Sequence, residues 1–137
     1  MLKLFLRRYI IMKWMSTIKK IGKKAIDNKD GMVILFGEGA NKDLEDVSVI
    51  QKFSDETPVK GFVFKKGDTL TVDGQTYVAN YVGPIVESNM KALGHATLFF
   101  NRPIRKAPLA NAVYFDPDVA QPLPTFKVDD DIVYEHI

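Results

Sequence analysis

A succession of short apolar runs, each closed by a turn signal, is the feature that most restricts the fold of this chain. The clearest case is the pair of runs 69–72 and 75–82, which flank Asp73-Gly74. This dipeptide predicts a hairpin, because both central residues of the favoured two-residue turn take positive φ. Similar runs occur at 17–21, 32–36, 47–53, 61–64, 96–100, 112–115 and 125–128. Many short strands at regular spacing are typical of an all-β domain.

Two segments have helical character instead. Residues 85–93 predict a helix that Glu87 or Ser88 caps and that Gly94 ends, since glycine readily takes the left-handed conformation of a helix stop. Residues 42–46 predict a single helical turn. We therefore expect a mainly β fold, a small closed or partly open β-barrel with one or two short helices.

Composition limits the chemistry available to the chain. Its 137 residues with 46% hydrophobic content suit one domain with one core. The chain has no cysteine, which excludes disulfides, thiolate nucleophiles and cysteine metal clusters. Asp129-Asp130-Asp131 reads as a solvated acidic loop, because a hard-cation site needs more oxygen donors at defined spacing. We expect neither a metal nor a cofactor.

Charge is divided unevenly along the chain. All eight charged residues in 1–26 are basic, whereas the rest carries 11 basic and 17 acidic side chains. Nucleic-acid-binding domains spread basic charge over a face of the fold, so we expect no nucleic-acid partner. Residues 1–15 predict a basic, apolar extension and 16–137 a single domain. The apolar runs of the extension are far shorter than the roughly 20 residues that span a bilayer, but weak contact with a membrane surface stays open.

Imidazole chemistry has only two places to reside. His95 stands between Gly94 and the run 96–100, and His136 is one residue from the C-terminus, where we expect a solvated tail.

The segment that contains His95, Asn89-Met90-Lys91-Ala92-Leu93-Gly94-His95-Ala96-Thr97-Leu98, resembles the conserved block of the glucitol/sorbitol-type enzyme IIA of the bacterial phosphotransferase system. Ile21–Asp27, Met32–Asp46 and the hairpin at Asp73-Gly74 resemble the same family in the same order, over roughly residues 16–115.

This resemblance implies a barrel-like domain and a role in phosphoryl relay. A family histidine accepts the phosphoryl group from an HPr-like phosphocarrier and passes it to a membrane sugar permease, on the cytoplasmic side. The register of Asp43–Gln51 aligns Gln51 with that histidine, and a second family histidine aligns with Tyr114. A glutamine amide nitrogen is no nucleophile. The chain is a phosphocarrier transferase only if an acceptor histidine is functional.

Alternatives therefore remain for both the site and the function. His95 is the phosphoryl acceptor, a group that orients the phosphorylated residue, or a ring that caps the end of the helix, where a cationic histidine is favourable. The function is phosphoryl relay from HPr toward a sugar permease; the alternative is a non-phosphorylatable regulatory or small-ligand-binding member of the family. Self-association also stays open.

Overall fold

The short strands close into one barrel. The computed structural model describes residues 11–27, 31–117 and 123–137. The strand order around the closed barrel is β1-β3-β2-β6-β7-β5-β4-β8, which confirms the expected fold class. Neighbouring strands are antiparallel except for the parallel pairs β2–β3 and β6–β7. The strands are β1 Met12–Ile21, β2 Met32–Gly37, β3 Ser48–Phe53, β4 Thr69–Val72, β5 Gln75–Val82, β6 Ala96–Phe99, β7 Ala112–Phe115 and β8 Asp131–His136.

The predicted hairpin forms with the predicted turn. Strands β4 and β5 pair antiparallel from Val72↔Gln75 to Thr69↔Val78. Asp73 and Gly74 have φ of 51° and 73°, as the two-residue turn requires. The local sequence is therefore sufficient to predict this part of the barrel.

Two apolar runs that predict strands form none. The run 61–64 begins at the last residue of a 3₁₀ turn, Val59–Gly61, and continues as irregular chain; residues 125–128 are also irregular. Phe62, Phe64 and Phe126 are nevertheless buried in the core. These side chains are hydrophobic because connecting segments also bury residues in the core. An apolar pattern over only four residues does not distinguish such a segment from a strand.

The C-terminal residues form a strand where a solvated tail was expected, and that expectation was wrong. Strand β8 pairs with β1 on one side and β4 on the other, so it closes the barrel. Ile132 and Tyr134 point into the core, with at most 1% of their surface exposed. His136 follows them on the same face, since side chains of a strand alternate.

The first strand begins inside the predicted N-terminal extension. Strand β1 begins at Met12 and not after residue 15. Trp14 is 5% exposed and contacts the Phe62 ring edge-on at 5.4 Å between centroids. Residues 12–15 therefore belong to the barrel because they supply core side chains, whereas residues 1–10 of the predicted extension lie outside the described residues.

The two predicted helices are both present. Helix α1 spans Lys42–Asp46, and the side chain of Asn41 accepts a hydrogen bond from the Leu44 amide to cap it. Helix α2 spans Val86–Leu93 and ends at Gly94, which has a φ of 62°. The predicted caps of α2 are wrong: Ile85 holds the N-cap position without a side-chain bond.

The barrel wall separates two apolar clusters. The main core fills the interior, where Leu35 and Val49 are fully buried. A smaller cluster lies on the outer face of β6 and β7, built from Phe99, Ala112 and Tyr114. The alternation of each strand sends Leu98 and Val113 inward and their neighbours outward. Side chains next to each other in sequence can therefore face two different environments.

Candidate functional site

Gln51 lies inside the barrel with every polar atom engaged. Its side-chain oxygen accepts hydrogen bonds from the hydroxyls of Ser16 and Tyr134, each at 2.6 Å. Its amide nitrogen donates to the Gly94 carbonyl at 3.0 Å and contacts the Met90 sulfur at 3.3 Å. Only 1% of Gln51 is exposed. This set of partners satisfies both lone pairs and both N–H groups of the amide.

The local fold explains why this polar cluster forms. Gln51 lies opposite Ile18 on β1 and Gly37 on β2, and the alternation of β3 turns it toward the interior. Helix α2 contributes Met90 and, at its end, Gly94. Burial raises the pKa of Tyr134 far above the ordinary tyrosine value, although the bonds to Ser16 and Gln51 act in the opposite direction. The cluster is therefore neutral, and Gln51 offers no nucleophile.

His95 lies on the other side of the barrel wall. Ala96, the first residue of β6, points into the core, and the same alternation extended back by one residue turns His95 outward. The half-buried imidazole packs against the Phe36 ring at 4.7 Å between centroids. Nδ1 lies 3.0 Å from the Leu35 carbonyl oxygen, and Nε2 lies 2.8 Å from the amide nitrogen of Asn111.

These two contacts define the tautomer of a neutral imidazole. A carbonyl oxygen only accepts hydrogen bonds, so Nδ1 carries the proton and donates it to Leu35. Nε2 then holds the lone pair, which accepts from Asn111. The same Asn111 nitrogen also donates to the Thr97 hydroxyl at 3.0 Å. A neutral ring nitrogen with a lone pair is the form of histidine that acts as a nucleophile.

The hydrogen bonds of the His95 ring do not match the helix-cap interpretation. The helix end is instead closed by backbone, through the amides of Gly94 and His95, which donate to Met90 and Asn89 carbonyls. The ring bonds to β2 and to Asn111, just before β7. The His95 ring therefore connects the start of β6 with β2 and with the residue before β7. The C-terminal end of α2 is closed by backbone hydrogen bonds.

The three residues that the sequence singled out do not form one cluster. Gln51 is inside the barrel, His95 is outside, and the Gly94 backbone lies between them. Tyr114 is on the outer face, stacked on Phe99 at 4.5 Å between centroids. Its hydroxyl is buried and has no hydrogen-bond partner among the described residues.

The sequence analysis did not predict the polar pair of His136 and Asp68 at the C-terminal end of β8. His136 Nδ1 lies 2.6 Å from an Asp68 carboxylate oxygen, and Asp68 also accepts from the amides of Lys65 and Ile137. Asp68 is only 4% exposed. The signal that could have identified this pair is the spacing of two residues between Ile132, Tyr134 and His136, which places all three on the same face of a strand.

Metal and membrane features are limited in the described ranges. Within residues 11–27, 31–117 and 123–137, no group of three histidine or carboxylate side chains is arranged to hold a metal ion. Asp131 instead accepts a hydrogen bond from the Thr17 hydroxyl at 3.2 Å. No helix in that part of the chain is long and apolar enough to cross a bilayer.

Comparison with known proteins agrees with this fold and identifies the family of the chain. The model of the family described as the PTS system glucitol/sorbitol-specific IIA component matches residues 13–133. The glucitol/sorbitol-specific EIIA component of Escherichia coli K12 is 36% identical over 89 residues, which are 64% of this chain and 69% of that protein. The corresponding protein of Shigella flexneri is 35% identical over the same shares.

A solved structure extends the likeness to three dimensions. The crystal structure of a PTS system IIA component from Enterococcus faecalis V583 superposes with a TM-score of 0.77 at 31% identity. The match covers 86% of this chain and 96% of the other. The family match over most of the chain and the names of its relatives support a IIA component and do not favour the alternative of a non-phosphorylatable regulatory or small-ligand-binding family member. The chain therefore belongs to the glucitol/sorbitol-specific IIA component family of the phosphotransferase system.

Proposed function

We propose that this chain relays a phosphoryl group in a glucitol/sorbitol-type phosphotransferase system and that Nε2 of His95 is the acceptor. The observation that carries the proposal is the hydrogen bond from His95 Nδ1 to the Leu35 carbonyl. It holds the proton on Nδ1 and leaves the nucleophilic lone pair on Nε2. Gln51, at the position aligned with the family's histidine, has no such lone pair and is sealed inside the barrel.

The reaction at His95 needs no proton transfer. The Nε2 lone pair attacks the phosphorus atom of the phosphorylated donor, and a P–N bond forms. The bond between phosphorus and the donor atom breaks, and its electron pair returns to the donor. Nδ1 keeps its proton and its bond to Leu35, so the positive charge that develops on the ring faces a carbonyl dipole. Such preorganised dipoles are a main source of catalysis in group transfer.

Asn111 supports the same step at Nε2, the attacking nitrogen. Its amide donates to Nε2 at 2.8 Å and to Thr97 at 3.0 Å. Entry of the phosphoryl group displaces the first of these bonds, and the freed N–H group is then within reach of a phosphoryl oxygen. Asn111 is thus a positioning residue that keeps the imidazole ready and then binds the transferred group.

The partners follow from the family. Membership of a IIA component family implies a phosphocarrier protein and a sugar transporter as partners; here the donor is proposed to be HPr-like and the acceptor a membrane sugar permease, on its cytoplasmic side. The outward position of His95 supports this proposal, because a protein donor must approach the nucleophile. Self-association and weak membrane contact through residues 1–15 stay predictions.

Labelling with radioactive phosphoenolpyruvate in the presence of enzyme I and HPr tests the proposal. We expect one acid-labile, base-stable phosphoryl group on the full chain. His95→Gln should lower the label at least 100-fold, whereas His136→Gln, the matched imidazole control, should keep it. Circular dichroism of both variants checks that the barrel is folded.

Two results would overturn the assignment of His95. Label that survives His95→Gln but is lost in His136→Gln would move the acceptor to β8. A complete absence of label in the natural chain, with label regained in Gln51→His, would identify a non-phosphorylatable family member whose chemistry was removed at Gln51.

A further inference from the structure

A small cavity lies on the outer face of the barrel, away from both Gln51 and His95. It encloses about 250 Å³ and is lined by Phe99, Arg102, Pro103, Arg105 and Tyr114. Its floor is the outer cluster on β6 and β7, and its rim is the connection between these strands. The volume is slightly below the range of pockets for drug-sized ligands, so it suits a small ligand.

The floor of this cavity holds an unsatisfied polar atom. The Tyr114 hydroxyl is buried and has no hydrogen-bond partner among the described residues, and 1% of the residue is exposed. Folded proteins rarely leave such a group unpaired, and each exception calls for an explanation. The hydroxyl exposes less than 1 Å², so a ligand oxygen in the cavity would become its missing partner after a small displacement of the surrounding side chains.

The rim of the cavity carries unbalanced positive charge. Arg102 and Arg105 are exposed, and neither forms an ion pair with a carboxylate in the described parts of the chain. The larger groove beside α2 differs, since its Lys65 lies 3.3 Å from the Glu87 carboxylate. Two unpaired guanidinium groups thus line the same cavity as the residue with the unpartnered buried hydroxyl, and this combination makes an environment for an anion.

From these observations we infer that this cavity binds a phosphate group. The planar fork of arginine matches the oxygens of a phosphate, and the Tyr114 hydroxyl donates to one of them. The stacked rings of Phe99 and Tyr114, together with Pro103, form an apolar wall. That wall accommodates the carbon chain of a small phosphate monoester, whereas free phosphate uses the polar groups alone.

This site is separate from the proposed phosphoryl acceptor. His95 precedes Phe99 by four positions along an extended strand, which places their Cα atoms about 13 Å apart. The inference therefore does not depend on the relay. A ligand bound here would leave the His95 imidazole and its contact with Asn111 in place.

Calorimetric and NMR titrations of the full chain test the inference. The probes are inorganic phosphate, glycerol 3-phosphate and sorbitol 6-phosphate, with unphosphorylated sorbitol as the negative control. The chain has only four arginines, so the Nε–H region of the NMR spectrum is simple. We expect the phosphate-bearing probes to shift two of these signals and sorbitol to shift none. Tighter binding of the two monoesters than of inorganic phosphate would identify the apolar wall as part of the site.

Matched variants locate the binding. Arg102→Gln and Arg105→Gln should each weaken it at least tenfold, and Tyr114→Phe about threefold or more. Lys106→Gln removes a neighbouring exposed charge that does not line the cavity and should change binding less than twofold. His95→Gln should also leave it unchanged, which separates this test from that of the relay.

Either of two results would overturn the inference. One is that the phosphate-bearing probes bind no better than sorbitol. The other is that Lys106→Gln weakens binding as much as Arg102→Gln, since a diffuse surface charge would then explain the effect. Each variant is compared by thermal unfolding, so that a loss of binding is not confused with a loss of fold.

Discussion

The two sides of the barrel wall near Gly94 use polar side chains in opposite ways. On the inside, Gln51 satisfies the hydroxyls of Ser16 and Tyr134 in a sealed cluster. On the outside, the half-buried His95 is held through Nδ1 and keeps a lone pair on Nε2. Both side chains have complete sets of hydrogen bonds, so the comparison teaches that the two positions differ in access: Gln51 is buried, whereas His95 is half-buried on the outer face.

Removal of the inner amide should have the largest effect. Gln51→Leu keeps a similar volume but leaves the buried hydroxyls of Ser16 and Tyr134 without their acceptor. We expect a loss of about 3 kcal/mol in the free energy of unfolding, since each unsatisfied buried group costs about 1–3 kcal/mol. Urea denaturation at neutral pH measures it. The exposed neighbour provides the control, Lys52→Ala, with a change within about 0.5 kcal/mol; a loss below 1 kcal/mol in Gln51→Leu would contradict the structural role.

Gly94, whose backbone lies between Gln51 and His95, is the next position to change. Gly94 has a φ of 62°, and an added Cβ would lie 3.0 Å from the backbone of Gly37. Gly94→Ala should therefore lower the free energy of unfolding by about 2 kcal/mol, partly from left-handed strain. Gly74→Ala is the control, because its φ is 73° but nothing lies within 4 Å of the added atom. We expect about 1 kcal/mol there; equal losses in urea would show that contact with Gly37 is unimportant.

Alkaline pH should weaken the inner cluster selectively. Burial raises the pKa of Tyr134 above its value in the unfolded chain, about 10. The folded state thus keeps a proton that the unfolded state loses, and the contribution to stability is full below pH 10 and falls as pH rises further. The slope from this one group is about half of its limit at pH 10 and approaches that limit, about 1.4 kcal/mol per pH unit, at higher pH.

The difference between the natural chain and Tyr134→Phe isolates that slope. Urea denaturation at pH 9, 10 and 11 should show a steeper decline for the natural chain, although the variant is less stable at pH 9 because Gln51 loses a donor. Parallel declines would mean that Tyr134 ionises as readily in the folded chain as in the unfolded one.

The smallest effect is expected on the outer face. Tyr114→Phe removes a buried hydroxyl that has no partner in the described structure, so in phosphate-free buffer the variant should be as stable as the natural chain or up to about 1 kcal/mol more stable. Thermal unfolding compares it with Tyr134→Phe, whose lost hydroxyl donates to Gln51. If Tyr114→Phe were the more damaging of the two, the outer hydroxyl would have to be satisfied within the fold.

Local sequence predicted the parts of the fold that depend on a few adjacent residues. The Asp73-Gly74 turn and the left-handed stop at Gly94 have the expected φ values, since these conformations are set by the residues themselves. Strand β8 was missed, because it begins at Asp131, the last residue of an acidic run, and only pairing with β1 and β4 stabilises it as a strand. Phe62 and Phe64 gave a strand-like pattern without forming a strand. Their side chains are hydrophobic because they are buried in the core, and this burial does not require strand pairing.

The sequence by itself indicated the family and the mainly β class, and both are confirmed; the alignment of Gln51 with the family's phosphorylated histidine stays a prediction. The tertiary structure alone decided which side of the wall each side chain occupies. Strand alternation and barrel closure place Gln51 among Ser16, Tyr134 and the end of α2, and they place His95 outside. These contacts join residues that are 35 to 83 positions apart, and no local pattern specifies such partners, because they exist only once the strands have closed into the barrel.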